Sequence, residues 1–129
     1  MRSVQLKVAD FDRSVAFYER LIGIRLVGRF QHGENWEAVF TPSGKLTHDA
    51  SMLVLGHDAD RKTPIDPESI GWIAIHVPDV DAALARVRAA GYPVVSEPEV
   101  GHEGRTRIAI VKDPDGFKVE ILGFTRAQP

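Results

Sequence analysis

The sequence predicts an α+β protein in which two βαβββ modules form a curved mixed sheet around a cleft. Three observations lead to this fold class. First, residues 3–23 (SVQLKVADFDRSVAFYERLIG) and residues 72–91 (WIAIHVPDVDAALARVRAAG) open alike, each with a short alternating strand, a Val-x-Asp turn and a helix that stops at glycine. Second, each helix is followed by three strand-like runs, the last two joined by Thr41-Pro42-Ser43-Gly44 in one half and Asp113-Pro114-Asp115-Gly116 in the other. Third, residues 56–69 (GHDADRKTPIDPES) are polar, hold two prolines and lack periodicity, which marks a linker. The expected organisation is a single domain over 1–129, with module one about 1–55, the linker about 56–69 and module two about 70–125.

The elements follow in order. In module one, Asp12 is the expected N-cap, Val15, Tyr18, Leu21 and Ile22 form one apolar stripe, and Gly23 ends the helix. Strands are expected over 25–31, 36–41 and 50–56. In module two, Asp79 or Asp81 caps a helix whose stripe is Val80, Leu84 and Val87, and Gly91 ends it. Strands are expected over 93–97, 105–112 and 117–123. In the last of these, Phe117, Val119 and Ile121 share one face, and Lys118, Glu120 and Leu122 share the other. One module alone leaves a sheet face open. Pairing two, within a chain or between chains, lets the sheets curve around a shared cavity large enough for a small molecule.

Composition narrows the function classes. The chain has 129 residues, 43% apolar and 26% charged, with a net charge of −2 and both signs mixed throughout. That is a soluble globular composition with enough length for one core. No dense Lys/Arg block is present, so neither nucleic acid nor an anionic membrane is an expected partner. The absence of cysteine excludes disulfides, thiolate metal sites and a Cys nucleophile. No apolar run reaches spanning length and the chain opens directly on a strand pattern, so a cytoplasmic location is expected. There is no phosphate-binding glycine loop, nucleophile elbow or His-Glu-x-x-His element.

Three motifs, VADFDRSVAFY at 8–18, LIGI at 21–24 and VKDPDGFKVEI at 111–121, together with the repeat, resemble the vicinal oxygen chelate superfamily. That superfamily includes glyoxalase I, bleomycin-resistance proteins and extradiol dioxygenases. The resemblance covers nearly the whole chain and implies a glyoxalase-like domain. It further implies four metal ligands, usually His, Glu or Gln, two per module on cavity-facing strands. Carried over position by position, these fall on Ser3, Leu53, Trp72 and Glu120. A slip of one or two residues on the second strand substitutes Ser51, Met52, Val54 or Leu55, none a good ligand. One carboxylate does not hold a catalytic divalent ion, which needs about three protein ligands. The expectation is therefore no metal and no cofactor. The resemblance also implies a homodimer in which modules of two chains complete each cavity, with Ser3, Gln5, Lys7 and Leu53 of one facing Trp72, His76 and Glu120 of the other.

Strand alternation puts Gln5, Lys7, Ala74 and His76 on the expected cavity side, with Lys7 and His76 at equivalent points of the repeat. In the family's isomerases, carboxylates of this site shuttle protons next to a carbonyl. A Glu120 facing Leu53, Leu55 and Trp72 would be desolvated, which raises a carboxyl toward the range of a general base at neutral pH. The expected function is metal-independent proton transfer, of isomerase or lyase type, on a small carbonyl compound. Glu120, His76 and Lys7 are the candidate catalytic residues; Gln5, Leu53, Leu55, Trp72 and Trp36 are the candidate substrate-binding residues.

Other readings of the same residues stay open. A binding or resistance protein of the bleomycin-resistance kind would use Trp72 and Trp36 as flat platforms. A metal-dependent glyoxalase or dioxygenase with displaced ligands would draw on His32, His48, His57 or His76. Glu120 also reads as an ion-pair partner of Lys7 or Lys118, His76 as a structural histidine, Trp72 as a space-filler and Trp36 as core. The segment 96–107, SEPEVGHEGRTR, reads as a hairpin connection whose Arg105 and Arg107 are solvated or meet an anionic ligand.

Overall fold

The computed structural model describes residues 3–125. Its strands and helices run β1 (Ser3–Lys7), α1 (Phe11–Ala16, continued by a π-helical turn Phe17–Ile22), β2 (Arg25–His32), β3 (Asn35–Thr41) and β4 (Met52–His57). After the linker, with its short 3-10 turn Pro67–Ser69, come β5 (Ile73–His76), α2 (Val80–Ala89), β6 (Val94–Gly101), β7 (Thr106–Lys112) and β8 (Lys118–Phe124).

The first helix is capped two residues before the expected position. Asp10, extended at φ −116°, accepts from the Arg13 N–H at 3.2 Å. Asp12 instead lies in the first turn and pairs with Arg29 at 2.7 Å. Val15, Phe17, Tyr18 and Ile22 are buried. The helix widens at its end, where the Gly23 N–H donates to the Tyr18 carbonyl five residues back, at 3.0 Å. Gly23 takes φ +92°, a conformation that burdens any side chain. Gly23→Ala is expected to cost about 1–2 kcal/mol, read as a lower urea midpoint with an unchanged slope. In α2, Asp79 is the cap, accepting from Ala82 N at 3.0 Å, and Val80, Ala83, Leu84 and Val87 are buried.

The strands form two four-stranded mixed sheets, β1-β4-β3-β2 and β5-β8-β7-β6. Each has one parallel pair, β1 with β4 and β5 with β8; the other pairs are antiparallel. The βαβββ order of both halves is present, but the expected curved sheet around a cleft is not. No sheet is strongly curled or closed. β1 and β5, which would have to join to make one sheet, pair only with β4 and β8 and stand as edges. The physical reason lies on the other side of the strands: the halves meet through their helices. α2 packs against residues 17–22, and the Arg86 guanidinium donates to the Leu21 carbonyl at 2.9 Å.

A second joint is polar and buried. The Tyr18 hydroxyl donates to Asp113 Oδ2 at 2.6 Å, while Asp113 Oδ1 accepts from the N–H groups of Phe117 at 2.9 Å and Asp115 at 3.0 Å. Asp115 in turn accepts from Ala9 N at 3.2 Å and Ser14 Oγ at 3.4 Å. The Asp-Pro-Asp-Gly turn of one half thus clasps the start of the helix of the other. Among the described residues no helix is long and apolar enough to cross a membrane.

Candidate functional site

Burial sorts each strand into a helix side and an open side. On β8, Val119 and Ile121 are buried on the helix side, and Lys118, Glu120 and Leu122 look the other way. On β5, Ile73 and Ile75 are buried, and Ala74 and His76 are exposed. The register sets Ala74 opposite Glu120 and His76 opposite Leu122, with Ile110 of β7 on the other flank of Glu120. Glu120 is therefore a half-buried carboxylate on an apolar strip of Ala74, Ile110 and Leu122. Among the described residues it joins no ion pair, so neither Lys7 nor Lys118 neutralises it. The His76 ring lies 5.2 Å from that of Phe124, and Trp72 is 58% exposed.

In the first half, Leu6, Leu53 and Leu55 are buried on the helix side. The open side of β1 and β4 carries Ser3 opposite Met52, Gln5 opposite Val54 and Lys7 opposite Gly56. Leu53 and Leu55 thus point away from the face they were expected to line, and the residue that repeats Glu120 is Val54, opposite Gln5 as Glu120 is opposite Ala74. A slip of one residue exchanges the faces of a strand. Met52-Leu53-Val54-Leu55 is apolar at every position, so its pattern holds no parity. The desolvation of Glu120 expected from Leu53 and Leu55 goes with that correction.

Trp36 also stands on the helix side, beside Ala38 and Phe40, with its ring 6.0 Å from that of Phe11. His57, opposite it, has Nδ1 3.1 Å from the Val8 carbonyl. Arg107, on the helix side of β7, pairs with Asp81 at 2.8 Å.

Lys7 is held by a residue that sequence reading passed over, Asp58 of the linker, at 3.1 Å. A Cβ at Gly56 would stand 2.9 Å from Gln5 Nε2 and 3.4 Å from Lys7 Nζ, so the two nitrogens lean together over the bare glycine. Gln5 and Lys7 also line a cavity of about 750 Å³ under the linker, with Asp58 and Arg61. A second cavity, about 710 Å³, takes in Ser3, Met52, Leu53, Ala74 and His76. Glu120 lines neither of these. Within one chain, Lys7 and Glu120 stand on different sheets.

With the register corrected, the four positions implied for a metal are Ser3, Val54, Trp72 and Glu120. Only one offers a carboxylate or imidazole, whether one chain or two supply the set. Among the described residues of one chain no group of three or more His, Asp or Glu side chains is placed to hold a metal ion, so His32, His48, His57 and His76 form no substitute site within it. The donor set does not fit a divalent ion.

The βαβββ order of the two halves agrees with what the chain is similar to. Residues 1–121 match the family described as the Glyoxalase/Bleomycin resistance protein/Dioxygenase superfamily. The chain belongs to that superfamily. The lactoylglutathione lyase of Neisseria meningitidis serogroup A is 34% identical over 118 residues, 91% of this chain and 85% of the relative. That of Haemophilus influenzae is 35% identical over 120 residues, 91% and 87% of the two chains. Among solved structures, the trypanothione-dependent glyoxalase I of Leishmania major superposes with a TM-score of 0.75 at 26% identity, over 95% of this chain and 85% of that one. These relatives support enzymatic activity in this family.

Proposed function

We propose that this protein is a metal-independent enzyme that moves a proton, in isomerase or lyase fashion, on a small carbonyl compound. One observation carries the reading: among the described residues Glu120 remains an unpaired, half-buried carboxylate on an apolar face, while the other three ligand positions are Ser3, Val54 and Trp72. In the proposed step, the Glu120 carboxylate takes a proton from the carbon next to the carbonyl. The C–H electron pair becomes the C=C bond, the carbonyl π pair moves to the oxygen, and the enolate so formed is held by the Lys7 ammonium or by His76. Glu120 then returns a proton to the same carbon, which is exchange, or, where that carbon bears a hydroxyl whose proton passes to the enolate oxygen, to the former carbonyl carbon, which leaves a new carbonyl where the hydroxyl stood. From the lactoylglutathione lyases we extend the reaction class alone.

Bringing Lys7 and Glu120 together calls for a homodimer, in which the open face of one half meets that of the other half in a second copy. Apolar side chains exposed on these strands, among them Phe30 and Phe124, and Trp72 just before β5 suit such a cover.

The test is α-deuterium incorporation into simple ketones and hydroxyaldehydes in D₂O, followed by NMR, on chelator-treated protein of measured metal content. Exchange is expected to persist with far less than one metal per chain. Stoichiometric metal whose removal stops exchange would overturn the proposal. A second reading, ligand sequestration without turnover, rests on the exposure of Trp72, which offers a flat platform on the same face as Glu120. It predicts quenching of Trp72 fluorescence by aromatic ligands and no deuterium incorporation.

A further inference from the structure

The cavity of about 710 Å³ lies between the two sheets, and of its residues the step proposed above uses His76 alone. One wall comes from β1 and β4 and the other from β5, and the turn from α1 into β2 closes one end with Ile24 and Arg25. Because β1 and β5 pair only with β4 and β8, no strand ladder fills the gap between them. Its volume is that of a small-molecule site.

The lining has a clear chemical bias. Val4, Ile24, Met52, Leu53, Ile73 and Ile75 give it apolar walls. Its polar side chains are the Ser3 and Ser51 hydroxyls, the His76 imidazole and the Arg25 guanidinium. Among the described residues no Asp or Glu lines it. The cavity under the linker is different, because there Asp58, Asp60 and Asp66 stand with Lys7, Arg61 and Lys62.

Arg25 stands out among the arginines. Of those in the described residues, only Arg20 and Arg25 have no hydrogen-bond or ion-pair partner, and of these two only Arg25 lines either cavity. Arg61, in the cavity under the linker, already donates to the Val8 carbonyl at 3.1 Å. A carboxylate would satisfy the unpaired guanidinium through charge-assisted hydrogen bonds, while an attached hydrocarbon part covered the walls. One guanidinium balances one negative charge, so a carboxylate fits where a phosphate dianion would stay half-neutralised against apolar side chains.

We propose that this cavity binds apolar monocarboxylates, with Arg25 holding the carboxylate and the side chains of β1, β4 and β5 taking the hydrocarbon part. The site goes beyond the function proposed above. Glu120 and Lys7 take no part in it, and binding is read whether or not the protein exchanges protons.

The probes are 4-phenylbutyrate and 4-phenyl-1-butanol, which share a body and differ in charge, and acetate, which has the head alone. Each is titrated into ¹⁵N-labelled full-length protein and followed at the backbone amides of Val4, Ile24, Ile73 and Ile75. The charge-assisted pair predicts that 4-phenylbutyrate binds about tenfold or more tighter than the alcohol. Acetate, which covers no wall, should bind at least about tenfold more weakly than 4-phenylbutyrate. Arg25→Met removes the charge from an exposed, unpaired side chain, so the fold should stand and the acid and alcohol should bind alike. Val4→Glu, on the exposed edge of β1, places a carboxylate in the cavity and should weaken the acid more than the alcohol. Equal binding of acid and alcohol, a preference kept by Arg25→Met, no binding of either, or shifts centred on the linker or on β8 would each overturn the proposal.

Discussion

Glu120→Gln is expected to lower turnover by about 10²- to 10⁴-fold, the range associated with loss of a general base, and to leave the fold standing. The carboxamide matches the carboxylate in shape and cannot take a proton. Stability should change little because Glu120 is half-exposed and joins no ion pair among the described residues, so no charge is orphaned by its removal. The two measurements belong together: kcat for α-proton exchange, and the thermal midpoint of the same preparation. A midpoint near that of the natural protein with undiminished exchange would remove Glu120 from the mechanism.

Asp113→Ala is expected to have the largest effect on stability, about 3 kcal/mol or more. It strands a fully buried phenol and leaves two turn N–H groups without their acceptor, and each such loss costs about 1–3 kcal/mol. Tyr18→Phe removes only the hydroxyl and should cost about 1–2 kcal/mol. Urea unfolding of both variants gives the comparison; equal losses would mean that the turn bonds contribute nothing.

The same residue sets a pH dependence. Burial raises the Asp113 carboxyl above its ordinary range, with the hydrogen bonds from Tyr18, Phe117 and Asp115 opposing. Burial also raises the Tyr18 phenol, which therefore stays protonated as the donor. A group raised on folding contributes stability that is full below its unfolded pKa and is lost as pH rises through the folded one. Relative to Asp113→Asn, the natural protein should therefore lose stability as pH rises from the ordinary Asp range through the raised value. A gain over that window would show that the hydrogen bonds outweigh the burial.

What was legible in the sequence was local. The repeat, the glycine stops and the turn Asp113–Gly116 are written in residue types with one backbone use each. The faces of β8 could be read because Phe117, Val119 and Ile121 alternate with Lys118, Glu120 and a single Leu. The faces of β4 could not, because apolar residues occupy both. The choice of Asp10 over Asp12 turned on extended backbone at Asp10, and both residues are good caps. On β3, Trp36, Ala38 and Phe40 do alternate with Glu37 and Val39, so the inward turn of Trp36, which the sequence also reads as core, and the outward turn of Glu37, which it passes over, are both written in that pattern.

The long-range features were out of reach. Lys7 and Asp58 are 51 positions apart, and nothing in either neighbourhood names the other. The division into two sheets depends on which edges meet. An edge strand and a central strand of a sheet solvated on one side carry the same alternation, so the pattern predicts strands without saying whether β1 and β5 join.

Tyr18, Arg86, Asp113 and Asp115 knit the halves together from the helix side, and the residues proposed to move the proton lie across the strands from them. Cohesion and chemistry are thus spelled in alternate letters of the same short words. Rewriting 3, 5, 7, 54, 74, 76 or 120 disturbs side chains that are half-exposed or more, while 6, 55, 75, 119 and 121 stay as they are. A chain built this way can give up one reaction and take on another at little risk to its fold, and a designer could vary the first set freely while holding the second fixed.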